Sequence, residues 1–134
     1  MAFQHRYRLS THAVITDDEG RVLLLKASYA DGGWGLPGGG VDPGESLHET
    51  LARECQEELG CEVVIDALTG VYYHASFEAH AVLFRCRLPD GAVPKLSEEH
   101  TEYRYFPVEE LSPVQRLRVE DCLGFDGRAR SRSF

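Results

Sequence analysis

Glu54, Glu57 and Glu58 stand at i, i+3 and i+4, the spacing that makes side chains neighbours on one helix surface. At 100° per residue they fall within an arc of about 100°. Like charges at these spacings repel by roughly a few tenths of a kcal/mol per pair. A divalent cation turns that repulsion into ligation. Hard oxygen donors suit Mg²⁺ or Mn²⁺, with waters and substrate phosphates completing the coordination. Immediately upstream run Gly38, Gly39 and Gly40, then the turn signature Asp42-Pro43-Gly44. Backbone of this kind can approach a ligand or metal closely. Together these residues read as a phosphate-and-metal site.

A helix must carry the glutamates, and its punctuation is legible. Ser46 lies three residues before Glu49, the capping-box pattern. Leu47, Leu51, Cys55 and Leu59 recur every four residues as a buried stripe, and Gly60 stands where a left-handed C-cap is expected. Glu58 projects beside that stripe, an odd place for a solvated charge and a sensible one for a ligand facing a cleft. Elsewhere, residues 12–16 and 22–26 are apolar runs separated by DDEG, a hairpin signal. Residues 27–35 form a glycine-rich loop anchored by Trp34 and Leu36. Strands are expected over 62–73, with a break at 67–70, over 80–88 and over 103–108. A short helical turn follows at 108–111, then a helix over 113–123 stopped by Gly124. Strands interleaved with two helices make an α/β domain, a mixed sheet covered on both faces.

The 134 residues and 43% hydrophobic content suit one domain with a single core. Residues 1–126 are expected to form it, with 127–134 an arginine-rich, solvated and flexible tail. No apolar run approaches a membrane span, and the N-terminus lacks the apolar core of a secretory signal, so the expected setting is the cytoplasm. A net charge of −8 argues against stable duplex nucleic-acid binding but admits a small anionic substrate, since a metal supplies positive charge locally. Cys55, Cys61, Cys86 and Cys122 show no zinc spacing and read as reduced, structural thiols.

Gly39, Glu45, Arg53, Glu54, Glu57, Glu58 and Gly60 fit the Nudix box, G-x5-E-x7-R-E-U-x-E-E-x-G-U, over residues 39–61. Cys55 and Cys61 replace the bulky aliphatics (U), a change that touches packing more than chemistry. The flanking WGLPGG and EYRYFPVEEL also resemble this superfamily. The resemblance implies a Nudix-type α/β/α sandwich with a mixed β-sheet, and Mg²⁺- or Mn²⁺-dependent hydrolysis of a nucleoside diphosphate linked to another moiety. It implies metal ligation by Glu54, Glu57 and Glu58, joined by the Gly39 carbonyl. It gives Arg53 the task of orienting glutamates, Glu45 that of supporting the loop and helix, and one glutamate that of base. Among the loop residues Glu98, Glu99 and Glu102, the favoured candidate for completing the site is Glu102, then Glu99. The chemistry agrees: pyrophosphate hydrolysis needs phosphoryl charge neutralised and a water held in line, with a carboxylate to take its proton.

His74, His80 and His100 have no ligand spacing and read as surface or packed side chains, and Tyr72, Tyr73 and Phe77 as core aromatics before base-stacking ones. No proline falls between Gly60 and Pro89, which weakens an ADP-ribose reading, and SQPWPFPxS, the extended motif of NADH hydrolases, is absent. A (deoxy)nucleoside triphosphate or related small nucleotide is the first expectation. The alternatives are an RNA 5′ end, a diadenosine polyphosphate, or a non-catalytic nucleotide-binding module. The oligomeric state stays open, with a homodimer among the options.

Overall fold

The apolar run at residues 22–25 is buried on both sides, and this sets the layering. The computed structural model describes residues 2–29 and 31–134. Among them the strands are β1 (Arg8–Val14), β2 (Val22–Ala27), β3 (Trp34–Gly35), β4 (Gly38–Gly40), β5 (Val64–His74), β6 (Ala79–Arg87), β7 (His100–Phe106) and β8 (Arg130–Ser133). The α-helices are α1 (Leu47–Leu59) and α2 (Pro113–Leu123). One mixed sheet has the order β4-β1-β6-β5-β8, and an antiparallel one has β3-β2-β7.

Alternation along the strands builds two cores. Ala13, Ile15, Leu23, Leu25, Val82 and Phe84 pack with Leu51, Cys55 and Leu59 of α1. The intervening Val14, Val22, Leu24, Ala81 and Leu83 pack with Val119 and Cys122 of α2. Sheet between helices is the α/β/α sandwich. The cysteines are free thiols, three of them buried. Among the described residues, no helix is long and apolar enough to cross a membrane.

Three expectations need correction. The runs at 12–16 and 22–26 do turn back on each other at DDEG, with a Thr16–Val22 antiparallel bridge and the Asp17 and Leu23 N–H groups donating to the Arg21 and Ile15 carbonyls, but the pairing stops there, and β1 and β2 lie in different sheets. β1 instead pairs in parallel with β6, from Arg8 opposite Ala79 to Val14 opposite Arg85. The break expected at 67–70 is two register shifts within a continuous β5. Lastly, the stretch read as a flexible tail carries β8, parallel to β5 with Gly70 opposite Arg130. Arg132 forks onto Asp121 at 2.8 and 2.9 Å, and the Phe134 ring stacks against Tyr72 and His74. The β8 side chains are all exposed, so composition reports solvation while the backbone pairs.

Candidate active site

Helix α1 begins and ends as its sequence dictates. Ser46 Oγ accepts from Glu49 N at 3.1 Å, and Ser46 N donates to Glu49 Oε1 at 2.9 Å, closing the capping box. Gly60 adopts φ 70° and donates its N–H to Gln56 O. With Leu51, Cys55 and Leu59 in the core, Arg53, Glu54, Glu57 and Glu58 are left on the flank facing β4.

The glycine strand is pressed between β1 and that flank. Gly38 has φ 144°, and a Cβ on it would lie 1.9 Å from the Thr11 carbonyl oxygen, so no other residue fits. A Cβ on Gly39 would lie 2.5 Å from Glu54 Cδ. The missing side chain leaves the Glu54 carboxylate against bare backbone.

Arg53 ties the loop to the helix. Its Nε and Nη2 donate to Glu45 at 2.7 and 2.9 Å, and its Nη1 donates to Glu54 at 3.0 Å and lies 3.5 Å from Glu57. Glu45 also accepts from Asp42 N and from Thr50 Oγ1. The Arg53 guanidinium holds the Glu45 carboxyl down to about 2. Glu54 moves the other way: burial raises it, against the opposing pull of Arg53.

Glu58 is the outlier. Its side chain is buried, Oε1 accepts from Gly38 N at 2.8 Å, and Oε2 lies 3.8 Å from His100 Nε2. Burial, reinforced by Glu54, Glu99 and Glu57, pushes its carboxyl up to about 8. His100 is itself lowered by burial, and its Nδ1 has no partner among the described residues. Two groups both driven toward neutrality are a contact rather than an ion pair. Donor atoms of Glu58, Glu99 and His100 lie within 4.8 Å of one another. A buried carboxylate short of positive charge, beside further carboxylates and an imidazole, is a donor set that fits a divalent cation.

The expected residues divide by position. Glu54 and Glu58 lie inside the site, Gly39 abuts Glu54, Arg53 links the carboxylates, and Glu57 sits at the exposed edge. Glu102 lies elsewhere, paired with Arg104 at 3.0 Å; the loop glutamate brought to Glu58 is Glu99. A bulge in β7 explains this. Lys26 opposes Glu102, yet the next β2 residue, Ala27, opposes His100, so alternation breaks between 100 and 102. Tyr103 and Tyr105 pack toward α1, Phe106 packs toward α2, and Arg104 lies over the Trp34 and Phe106 rings. Glu102 shares the parity of Arg104, whereas His100 turns to Glu58. His100 is the residue missed, because no spacing in the sequence announces a bulge.

Next to Gly40 opens a cleft of about 880 Å³ lined by β1, the His74–Phe77 turn, α2 and Phe134. Tyr72 is a core residue, its hydroxyl donating to Asp121, whereas Phe77 is exposed and lines the cleft.

Comparison with known proteins matches this architecture. The NUDIX domain model matches residues 6–121. A MutT-like protein of Streptomyces ambofaciens is 34% identical over 121 residues, covering 87% of this chain and 77% of the relative. The nucleoside triphosphatase NudI of Escherichia coli O1:K1 is 28% identical over 114 residues, covering 72% and 80%. The crystal structure of a MutT protein from Methanosarcina mazei Go1 superposes with a TM-score of 0.74 at 31% identity, covering 93% of this chain and 99% of that one. A capped helix of glutamates against a glycine strand, bound by one arginine inside a matching α/β/α sandwich, makes the chain a member of the Nudix hydrolase superfamily.

Proposed function

We propose that the chain is a divalent-metal-dependent pyrophosphohydrolase of small nucleotides, with a nucleoside triphosphate as first substrate. The observation that carries this reading is the buried Glu58 carboxyl, unable to ionise comfortably without a cation beside it. The name of the Escherichia coli relative, a nucleoside triphosphatase, supports the substrate class. An RNA 5′ end is the second reading, although two of the three tail arginines are already paired, Arg132 with Asp121 and Arg130 with Asp126. Free thiols fit a reducing, cytoplasmic setting.

Glu54, Glu57, Glu58 and Glu99 would hold the ion, Mg²⁺ or Mn²⁺, with His100 and the Gly39 carbonyl beside them. When bound, the ion supplies positive charge to phosphoryl oxygens and lowers the pKa of a water. Arg53 fixes the Glu54 carboxylate so that its geometry survives phosphate arrival. Gly38 N–H fixes Oε1 of Glu58, leaving Oε2 toward His100. In hydrolysis the water oxygen bonds to one phosphorus and the bridging oxygen departs with the other phosphate. A carboxylate takes the water's proton, and we assign that task to Glu99 rather than Glu102, because Glu99 is the one at the cluster.

A panel of nucleotides incubated with Mg²⁺ or Mn²⁺, with both products identified, tests the reading. Turnover of triphosphates that is lost in Glu57→Gln and in Glu99→Gln is expected. Binding without any product across the panel replaces it with a nucleotide-binding module.

A further inference from the structure

Glu99 and His100 are consecutive, and consecutive side chains of a regular strand point to opposite faces. Here both reach Glu58, and ligand atoms of all three residues lie within 4.8 Å of one another. The bulge that sets Ala27 opposite His100 makes this possible, and bulges re-aim side chains beside active sites. A backbone bond pins the segment, with the Glu99 carbonyl accepting from Ser28 N at 2.8 Å. The Glu58 side chain is more than nine-tenths buried, and among the described residues only its Oε1 is hydrogen-bonded, to Gly38 N. Oε2 faces His100 Nε2 across 3.8 Å, too far for a hydrogen bond. Two ligands each about 2.1 Å from one ion stand roughly 3 to 4 Å apart, depending on their angle. Among the described residues no hydrogen bond holds either ring nitrogen of His100.

We propose that the His100 imidazole is itself a metal ligand, and that Glu58, Glu99 and His100 form a mixed nitrogen–oxygen seat favouring Mn²⁺ over Mg²⁺. This rests on the reading of the chain as a metal-dependent pyrophosphohydrolase, and it adds a nitrogen donor to the box glutamates. Mg²⁺ dehydrates reluctantly and demands near-ideal octahedral oxygen coordination. First-row transition ions accept imidazole readily, so replacing one oxygen donor by nitrogen shifts the balance toward them. Among these ions, Mn²⁺ is the one that also favours carboxylates and waters, which make up the rest of the set. A buried carboxylate with one free oxygen, an exposed carboxylate and an uncommitted imidazole therefore suit it.

Mn²⁺ is paramagnetic and reports its own ligands without turnover. The test loads the full chain with one equivalent of Mn²⁺, without nucleotide, and records pulsed electron paramagnetic resonance. A hyperfine coupling from directly bound nitrogen is expected, altered when the histidines carry heavy nitrogen. Titration of Mn²⁺, alone and against Mg²⁺, gives both affinities. In His100→Gln the nitrogen coupling should vanish and Mn²⁺ affinity should fall at least about tenfold, while Mg²⁺ affinity changes less than about threefold. A Mn²⁺ spectrum with oxygen ligands only, a nitrogen coupling that survives in His100→Gln, or equal losses for the two ions overturns the proposal. Should the variant fail to fold, the labelled native protein still decides, because His100 is the histidine of the cluster. Hydrolysis of triphosphates with Mn²⁺ held by oxygen alone would sink this ligand and leave the hydrolase reading standing. A nitrogen-bound ion without hydrolysis of any nucleotide would sink the hydrolase reading instead.

Discussion

Replacing Glu58 with glutamine should stabilise the metal-free protein while removing its activity. In the native chain Glu58 is 5% exposed, and its carboxyl receives one backbone N–H, from Gly38 at 2.8 Å. Its pKa is raised to about 8, whereas an unfolded glutamate titrates near the ordinary 4.5. Between those values the folded state holds a proton that the unfolded state has lost, so stability falls as pH rises through the window. The full shift corresponds to roughly 4–5 kcal/mol, and relaxation of the site reduces the realised penalty to about 2 kcal/mol near neutral pH. Glutamine keeps an oxygen for the Gly38 N–H and never ionises. Thermal unfolding in EDTA at pH 5, 6, 7 and 8 should show the native Tm declining with pH and Glu58→Gln staying level in this respect. Near pH 7.5 the variant should melt roughly 5–10 °C higher. Excess Mg²⁺ should reverse the order, because binding to the folded state adds about 2.7 kcal/mol at one hundred times Kd. A variant that melts below the native protein in EDTA, or that shows the same pH slope, refutes the reasoning.

Adjacent glycines should behave differently. Gly39→Ala displaces the Glu54 carboxylate, so kcat should fall about ten- to a hundredfold with Tm nearly kept, whereas Gly38→Ala meets the Thr11 backbone and should yield little folded protein by circular dichroism. Arg53→Lys cannot reproduce the fork onto Glu45 together with the bond to Glu54, so steady-state kinetics should show kcat reduced about a hundredfold with KM little changed. Arg132 holds the Asp121 carboxyl below its usual range, so that interaction stabilises fully above about pH 4 and fades as pH falls further. Urea denaturation should therefore find Asp121→Asn weaker by about 1 kcal/mol at pH 7, allowing for solvent screening, with the gap narrowing as the pH is taken into the acid range.

Local signals made α1 legible to the residue, since capping box, stripe and terminal glycine all act within a few positions. The run at 22–25 likewise announced a strand buried on both faces. Partner choice was not legible. DDEG makes a turn, but whether the flanking strands pair depends on β6 and β7, which compete for them from far along the chain. The arginines near the end speak of solvent, and their backbone hydrogen bonds and Phe134 leave no periodic trace. At the site, the box glutamates were legible because one helix carries them. The ranking of Glu99 above Glu102 and the part played by His100 were not, because a single inserted residue in β7 decides which side chain turns toward Glu58.

The pairing of β1 with β6 has a consequence for how activity is acquired. The strand that backs the glycines waits for a partner about seventy residues downstream, and the inward-turned loop at Glu99 follows later still. Closing so wide a loop is entropically slow, and nothing shorter can stand in for it. A nascent chain displaying α1 alone would offer three solvated glutamates and no enclosed cavity for a cation. Handling a nucleotide therefore depends on contacts between parts of the chain that lie far apart in sequence, and not on the helix that carries the box.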